Sequence, residues 1–261
     1  MVEGLPSGTV TFLFTDIEGS TGIVRDLGER YGDLLDLHHR LLREVWRQHH
    51  GVEVGTEGDA FFVAFQHAAD AVAATLDAQR ALAAADWPTD DPVRVRMGLH
   101  AGYARPVDGD YRALAVHQAA RVVSAANGGQ IYATAELLAL CDELPREVIV
   151  TDLGRYRVRD FDEPITLYAV SAGDLEVDPR LPRVRPADSH NLVRPTTSMV
   201  NRVTEQQRLC ELAQPGALVT ILGPGGAGKT RLSIEVGLQV VDVWPDGVWF
   251  VDLAPVAEGE V

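Results

Sequence analysis

The sequence predicts an α+β sandwich over residues 1–171, a proline-rich linker over 172–199, and an incomplete α/β segment over 200–261. Three observations lead there. Runs of β-branched and aromatic residues are interleaved with helical stretches, and several neighbouring runs are joined by hairpin-length turns, which selects an α+β sandwich over a doubly wound sheet. From Ala172 to Met199 periodicity is lost among Pro179, Pro182, Pro186 and Pro195, as in an extended linker. Beyond it, Leu218–Leu222 leads into a glycine-rich loop and then a helical stretch, the opening of a P-loop unit.

Taken in order, Thr9–Thr15 is a continuous β-branched and aromatic run, the pattern of a strand buried on both faces, and it stops at Asp16. A long helical region is expected from about Ser20 to His50, with Leu34, Leu37, Leu41, Leu42 and Val45 at helical spacing. Its pairs His38-His39 and His49-His50 stand roughly 16 Å apart on a helix, too far for one ion, and are expected to be solvated. Val52–Val54 and Ala60–Phe65 flank Thr56–Asp59 as a hairpin. A helix follows over Ala68–Asp86, then a strand over Val93–His100, a Gly/Asp loop to Asp110 and a helix over Ala113–Asn127. A strand at Gln130–Ala133, a helix to Cys141, and strands at Arg146–Thr151, Arg155–Arg159 and Ile165–Val170 complete an antiparallel set. After the linker come a helix over Thr204–Ala213, the strand Leu218–Leu222, a helix to Val241 and a strand over Val248–Leu253.

Composition narrows the function classes. The 261 residues are 46% hydrophobic and 23% charged, enough to bury a core, and the net charge of -15 argues against binding a nucleic-acid backbone. No signal-peptide pattern or membrane-length apolar run is present. Cys141 and Cys210 lack any partner spacing and read as reduced thiols of a cytoplasmic protein.

Asp16 ends one strand and Asp59 sits in a hairpin turn, so neighbouring strands would bring both carboxylates to one edge of the sheet. Two carboxylates sharing Mg²⁺ or Mn²⁺ are the basis of two-metal phosphoryl chemistry. Turn aspartates with no ligand are the commoner use of the residue, and the residue types alone leave both uses open.

The runs Gly8–Thr21, Glu57–Phe65, Arg96–Gly102, Gly109–Tyr111 and Ala119–Arg121 resemble, in order and spacing, the class III adenylate/guanylate cyclase catalytic domain, over about residues 5–171. The resemblance implies a ferredoxin-like sandwich working as a head-to-tail dimer, either a homodimer or paired with another cyclase-type chain, with ATP as substrate or ligand and two Mg²⁺ or Mn²⁺ ions per site. It implies that Asp16, Asp59 and the backbone carbonyl of Ile17 hold the metals. The partner would present Asp110 to the purine amino group and Arg121 to the transition-state phosphate. Arg159 best matches the family's triphosphate-binding basic residue, with Arg157 second. Arg121 lies one helical turn beyond His117, so the two share a face.

Three positions depart from the family pattern. Gly55 replaces a purine-reading Lys, His117 replaces a ribose-orienting Asn, and Ala113 replaces a Gly. Metal and triphosphate binding are therefore expected to persist with weakened base discrimination and turnover. Asp110 favours ATP over GTP.

Gly223-Pro-Gly225-Gly226-Ala-Gly228-Lys229-Thr230 matches the Walker A pattern. Its backbone N–H groups would cradle phosphates, with Lys229 on the terminal ones and Thr230 on Mg²⁺. Val248–Asp252 is expected to be the next strand, because it follows the P-loop helix too soon for a Walker B strand. Val200–Glu205, the P-loop and Asp246–Ala254 resemble the start of the STAND/NB-ARC-like ATPase that follows cyclase domains in some bacterial LuxR-type regulators. That module is cut off before its Walker B strand, so neither ATP hydrolysis nor DNA binding is expected of this chain. The expected function is a cytoplasmic adenylate cyclase of low activity, a phosphorus-oxygen lyase forming cyclic AMP and pyrophosphate. The alternative is a degenerate cyclase-homology protein that binds nucleotide or a partner, such as a transcriptional regulator.

Overall fold

The computed structural model describes residues 4–89, 91–142, 144–175, 178–187, 190, 192, 202–214, 216–241, 243–244 and 247–251. The chain divides into two compact units, residues 1–184 and 185–261.

The first unit is α+β with a mixed sheet. Its elements are β1 (Gly8–Ile17), α1 (Ser20–Leu27), α2 (Tyr31–Gln48), β2 (Val52–Glu57), β3 (Ala60–Phe65), α3 (Ala68–Ala83), β4 (Val95–Ala104), β5 (Pro106–Val107), β6 (Asp110–Tyr111), α4 (Leu114–Ala125), β7 (Ile131–Thr134), α5 (Ala135–Leu138), β8 (Val148–Arg157) and β9 (Ile165–Ala172). In space the main-sheet strands run β8-β9-β7-β4-β1-β3-β2. All of these pairs are antiparallel except β4 with β7, so the expected wholly antiparallel set is corrected to a mixed sheet.

β1 is central and covered on both faces, as its unbroken apolar run requires. Leu13 and Ile17 pack with Leu34, Leu42 and Trp46 of α2 and with α3, while Val10 and Phe12 pack with Ala115 and Ala119 of α4. The close seat of α4 depends on Gly98 of β4, where a Cβ would lie 2.1 Å from the backbone nitrogen of Val123. Helix α4 is therefore held rigidly against the strand that pairs with β1, and it carries two of the candidate site residues.

Several expected boundaries change. The helical region expected over 20–50 is present and is divided into two helices by a 3₁₀ turn at Gly28–Arg30, where Gly28 has φ 54°. The strand expected at Val93–His100 runs instead from Val95 to Ala104, since its pairing with β1 continues to Ala104↔Gly8. The two strands expected over 146–159 are one strand, β8, with a register shift between Asp152 and Arg155. There Asp152 Oδ1 accepts from the Gly154 N–H at 2.7 Å, so the turn residues make an irregularity and no hairpin. The Gly/Asp loop is a short hairpin of β5 and β6, with Asp108 and Gly109 both at positive φ, as a type I′ turn demands.

The histidines are not uniformly solvated. His38 is completely buried, His39 Nε2 donates to the Gly58 carbonyl at 2.9 Å, and His49 Nε2 meets Asp77 at 2.8 Å; His50 alone of the four is exposed. Helical spacing put His38 on the apolar stripe beside Leu34 and Leu42, and that face turned inward.

Within the sequence assigned to the linker, residues 178–184 belong to the first unit. Gln130 Nε2 donates to the carbonyls of Asp178 and Arg180, Asn127 Nδ2 to that of Leu181, and the Arg183 N–H to that of Ala125.

The second unit contains α6 (Val203–Leu212) and α7 (Lys229–Val240). The strand expected at Leu218–Leu222 forms no ladder among the described residues; Leu218 is 95% and Leu222 87% exposed, without a neighbouring strand to pair with. Among the described residues Val248 makes an isolated parallel bridge to His190, and Asp252 lies outside them.

Candidate functional site

The register of β1 determines what surrounds Asp16. Asp16 stands opposite Arg96 of β4, and Arg96 grips it with two hydrogen bonds, Nε to Oδ1 and Nη2 to Oδ2, each 2.6 Å. On the other side of β1, Thr15 pairs with Phe61 of β3, which carries the preceding Asp59 to the end of β1. Asp59 Oδ2 there accepts a 2.8 Å hydrogen bond from the Ile17 N–H. The two carboxylates are electrostatic neighbours. Burial pushes the Asp16 carboxyl up from its ordinary value, Arg96 opposes the shift, and the Asp59 charge adds to it. Among the described residues no cluster of three or more His, Cys, Asp or Glu side chains could hold a metal, so this pair and the adjacent backbone are the metal candidates.

The second cluster forms around Asp160. His117 and Arg121 lie one turn apart on α4, and Arg121 Nε donates to Asp160 Oδ2 at 2.6 Å. Arg159 follows the end of β8, is 77% exposed, and places Nε 3.8 Å from Asp160 Oδ1. Arg121 holds the Asp160 carboxyl below its usual range, with further help from Arg159 and His117.

The other expected residues stand apart. Asp110 is exposed on β6, with Oδ1 accepting from the Tyr111 N–H at 2.7 Å; the Tyr111 hydroxyl donates to the Pro6 carbonyl at 2.6 Å and anchors the hairpin. Gly55 lies on the edge strand β2 at a register shift, and a Cβ there would meet nothing within 4 Å. No hydrogen bond or ion pair joins the Asp16–Asp59 pair to the Arg121 cluster among the described residues.

In the second unit, Gly226 and Gly228 have left-handed φ of 73° and 76°, and α7 begins at Lys229 with Thr230 next. Lys229 Nζ is folded onto the loop itself, donating to the carbonyls of Gly223 and Pro224 at 2.9 Å each; Gly225 is exposed.

Sequence reasoning missed four participants. Arg96 was noticed only as part of a motif, because only the register of β1 against β4 places it across from Asp16. Asp160 had no signal beyond standing next to Arg159. His39 secures the Asp59 turn through Gly58. Arg180, read as a linker residue, makes paired hydrogen bonds of 3.0 Å to both oxygens of Glu18, immediately after Ile17.

Comparison with known proteins identifies the family of the first unit. Residues 2–172 match the adenylate and guanylate cyclase catalytic domain. The receptor-type adenylate cyclase GRESAG 4.3 of Trypanosoma brucei brucei is 30% identical over 210 residues, covering 64% of this chain and 17% of that protein. A protein of Mycobacterium tuberculosis is 34% identical over 164 residues, covering 61% of this chain and 54% of its own length. The chain thus spans about half or less of these relatives. An adenylate cyclase structure from Trypanosoma brucei in its monomeric state superposes with a TM-score of 0.62 at 26% identity, covering 71% of this chain and 95% of that one. With two carboxylates at the end of β1, Arg121 on α4 and the match over residues 2–172, the chain belongs to the adenylate and guanylate cyclase catalytic-domain family.

Proposed function

We propose that the first unit is an adenylate cyclase domain of low activity, converting ATP to cyclic AMP and pyrophosphate at a site shared by two copies of the domain. The observation that carries this reading is the hydrogen bond from the Ile17 N–H to Asp59, which brings a second carboxylate to the strand end where Asp16 stands. The donor set fits Mg²⁺ or Mn²⁺: two carboxylates and the Ile17 carbonyl are hard oxygen ligands. Two such ions would activate the ribose 3′-hydroxyl and hold the phosphates.

The protein's own residues would do the rest. Arg121 would bring positive charge to the α-phosphate, where charge develops, and Arg159 to the triphosphate. Asp110 would accept a hydrogen bond from the adenine amino group, which favours ATP. The ribose 3′-oxygen bonds to the α-phosphorus, the bond to the bridging oxygen breaks, and pyrophosphate leaves with its electrons; the hydroxyl proton passes to solvent. Gly55 supplies no donor to the purine, and His117 offers one where two would orient the ribose, so turnover is low. The absence of any hydrogen bond or ion pair between the acidic pair and the Arg121 cluster among the described residues supports a shared site. Leu114, 60% exposed at the start of α4, offers apolar surface for a second copy beside His117.

Gly55 and His117 also favour a second reading, a degenerate cyclase domain that binds nucleotide or a transcriptional regulator. In the second unit, Gly223–Thr230 would bind nucleotide phosphates once Lys229 leaves its own loop carbonyls. Purified protein assayed with Mn²⁺ and ATP or GTP separates the readings. Cyclic AMP should exceed cyclic GMP, and Asp59→Ala should remove the activity. Activity of the variant within about twofold of the parent would place the metal site elsewhere.

A further inference from the structure

Asp160 stands between two basic groups assigned above to the nucleotide's phosphates. Its Oδ2 is 2.6 Å from Arg121 Nε and its Oδ1 3.8 Å from Arg159 Nε, so one carboxylate addresses both. Its backbone has φ 67°, a left-handed conformation uncommon for any residue with a Cβ but most accessible to Asn and Asp. The turn is anchored to the rest of the site. Phe161 packs edge-on against His100 at 5.4 Å, and His100 lies 3.2 Å from Gln118 Oε1 on α4 and 2.9 Å from Thr134 Oγ1. The helix that carries Arg121 and the turn that carries Asp160 are therefore fixed to a common buried residue.

The geometry points to Asp160 as an internal stand-in for phosphate, which gathers Arg121 and Arg159 before nucleotide binds and competes with the incoming polyphosphate for Arg121. This rests on the reading of Arg121 and Arg159 as phosphate-binding residues. The Arg121 and Asp160 side chains are 36% and 30% exposed, so water screens the pair and it is exchangeable. A polyphosphate carries more charge than one carboxylate and can take two guanidinium N–H donors at once. It can displace Asp160, at the expense of breaking an existing contact.

The test is Asp160→Asn, which preserves side-chain shape and the tolerance for left-handed backbone while removing the charge. Binding of inorganic tripolyphosphate to the full chain, measured by calorimetry with Mg²⁺, should tighten by at least about threefold, and KM for ATP should fall by a similar factor. Asp160→Gly, which has no backbone conflict, should move affinity the same way. Adding Arg121→Ala to Asp160→Asn should cancel the gain, an effect that a purely structural turn residue would not show. Unchanged or weaker tripolyphosphate binding in both single variants overturns the proposal. Tighter binding without any cyclic nucleotide formation leaves it standing and removes the cyclase reading. Cyclic nucleotide formation with unchanged affinity does the reverse.

Discussion

On the proposed cyclase reading, the double substitution Gly55→Lys with His117→Asn should raise activity, and the structure shows that both changes can be accommodated. A Cβ at Gly55 meets no atom within 4 Å, and Gly55 is not among the glycines at positive φ, so Gly55→Lys needs no rearrangement of β2. Removing a glycine from a strand interior should itself favour folding by roughly 0.5–1 kcal/mol. His117 is exposed on α4, where Asn and His have similar helix propensity, so His117→Asn should leave the helix intact. A donor returned to an otherwise unpaired purine nitrogen is worth about 1–3 kcal/mol, and β2 is an edge strand where water competes, so the low end applies. An amide aimed at the ribose adds about 0.5–1.5 kcal/mol. Both act on one bound nucleotide and should not be independent. The double variant should therefore gain at least about tenfold in kcat/KM for ATP, or roughly 1.4 kcal/mol of transition-state stabilisation. The assay compares parent, both single variants and the double variant under saturating Mn²⁺. No gain in a double variant that folds like the parent would refute the reasoning and favour the regulatory reading.

Two further predictions concern the scaffold. His38 is fully buried with neither ring nitrogen hydrogen-bonded, and its pKa is pushed down to about 3, by burial first and by His39 second. Because the folded value lies below the unfolded one near 6.5, the unfolded chain takes up a proton that the folded chain refuses, and stability falls as pH drops through that window by at most about 1.4 kcal/mol per pH unit. His38→Leu should flatten this dependence and be at least as stable at pH 7; urea unfolding at pH 7 and pH 5 with equal slopes for both proteins would refute it. Hydrogen exchange should be much faster over 218–222 than over β1, since Leu218 and Leu222 are exposed without ladder partners while β1 is paired on both sides. Equal protection in the two segments would count against this.

Much of the site was legible along the chain because local chemistry wrote it there. The buried run ending at Asp16, the Glu57–Gly58–Asp59 turn and the i,i+4 spacing of His117 and Arg121 each follow from short-range pattern, and each lies on the element the pattern indicates. Element boundaries were less legible where turn residues did something other than turn. Asp152 and Gly154 shift the register inside β8, and Gly102 seats against Ala115 instead of ending β4. The polar rings of His38 and His39 suggested solvent, but the apolar stripe that His38 shares with Leu34 and Leu42 turned it inward.

By itself the sequence determined the α+β class, the strand-end aspartate, and the pairing of His117 with Arg121 on one helix face. These depend on residue type and on the fixed periods of strand and helix. Only the tertiary structure decided which charges neutralise which. Arg96 closes on Asp16 from 80 residues away, Asp160 on Arg121 from 39, and Arg180 on Glu18 from 162. No local pattern encodes such pairs. They exist because sheet order and helix seating bring distant charges within a few ångströms of each other, and Coulomb attraction at that range then selects the partner.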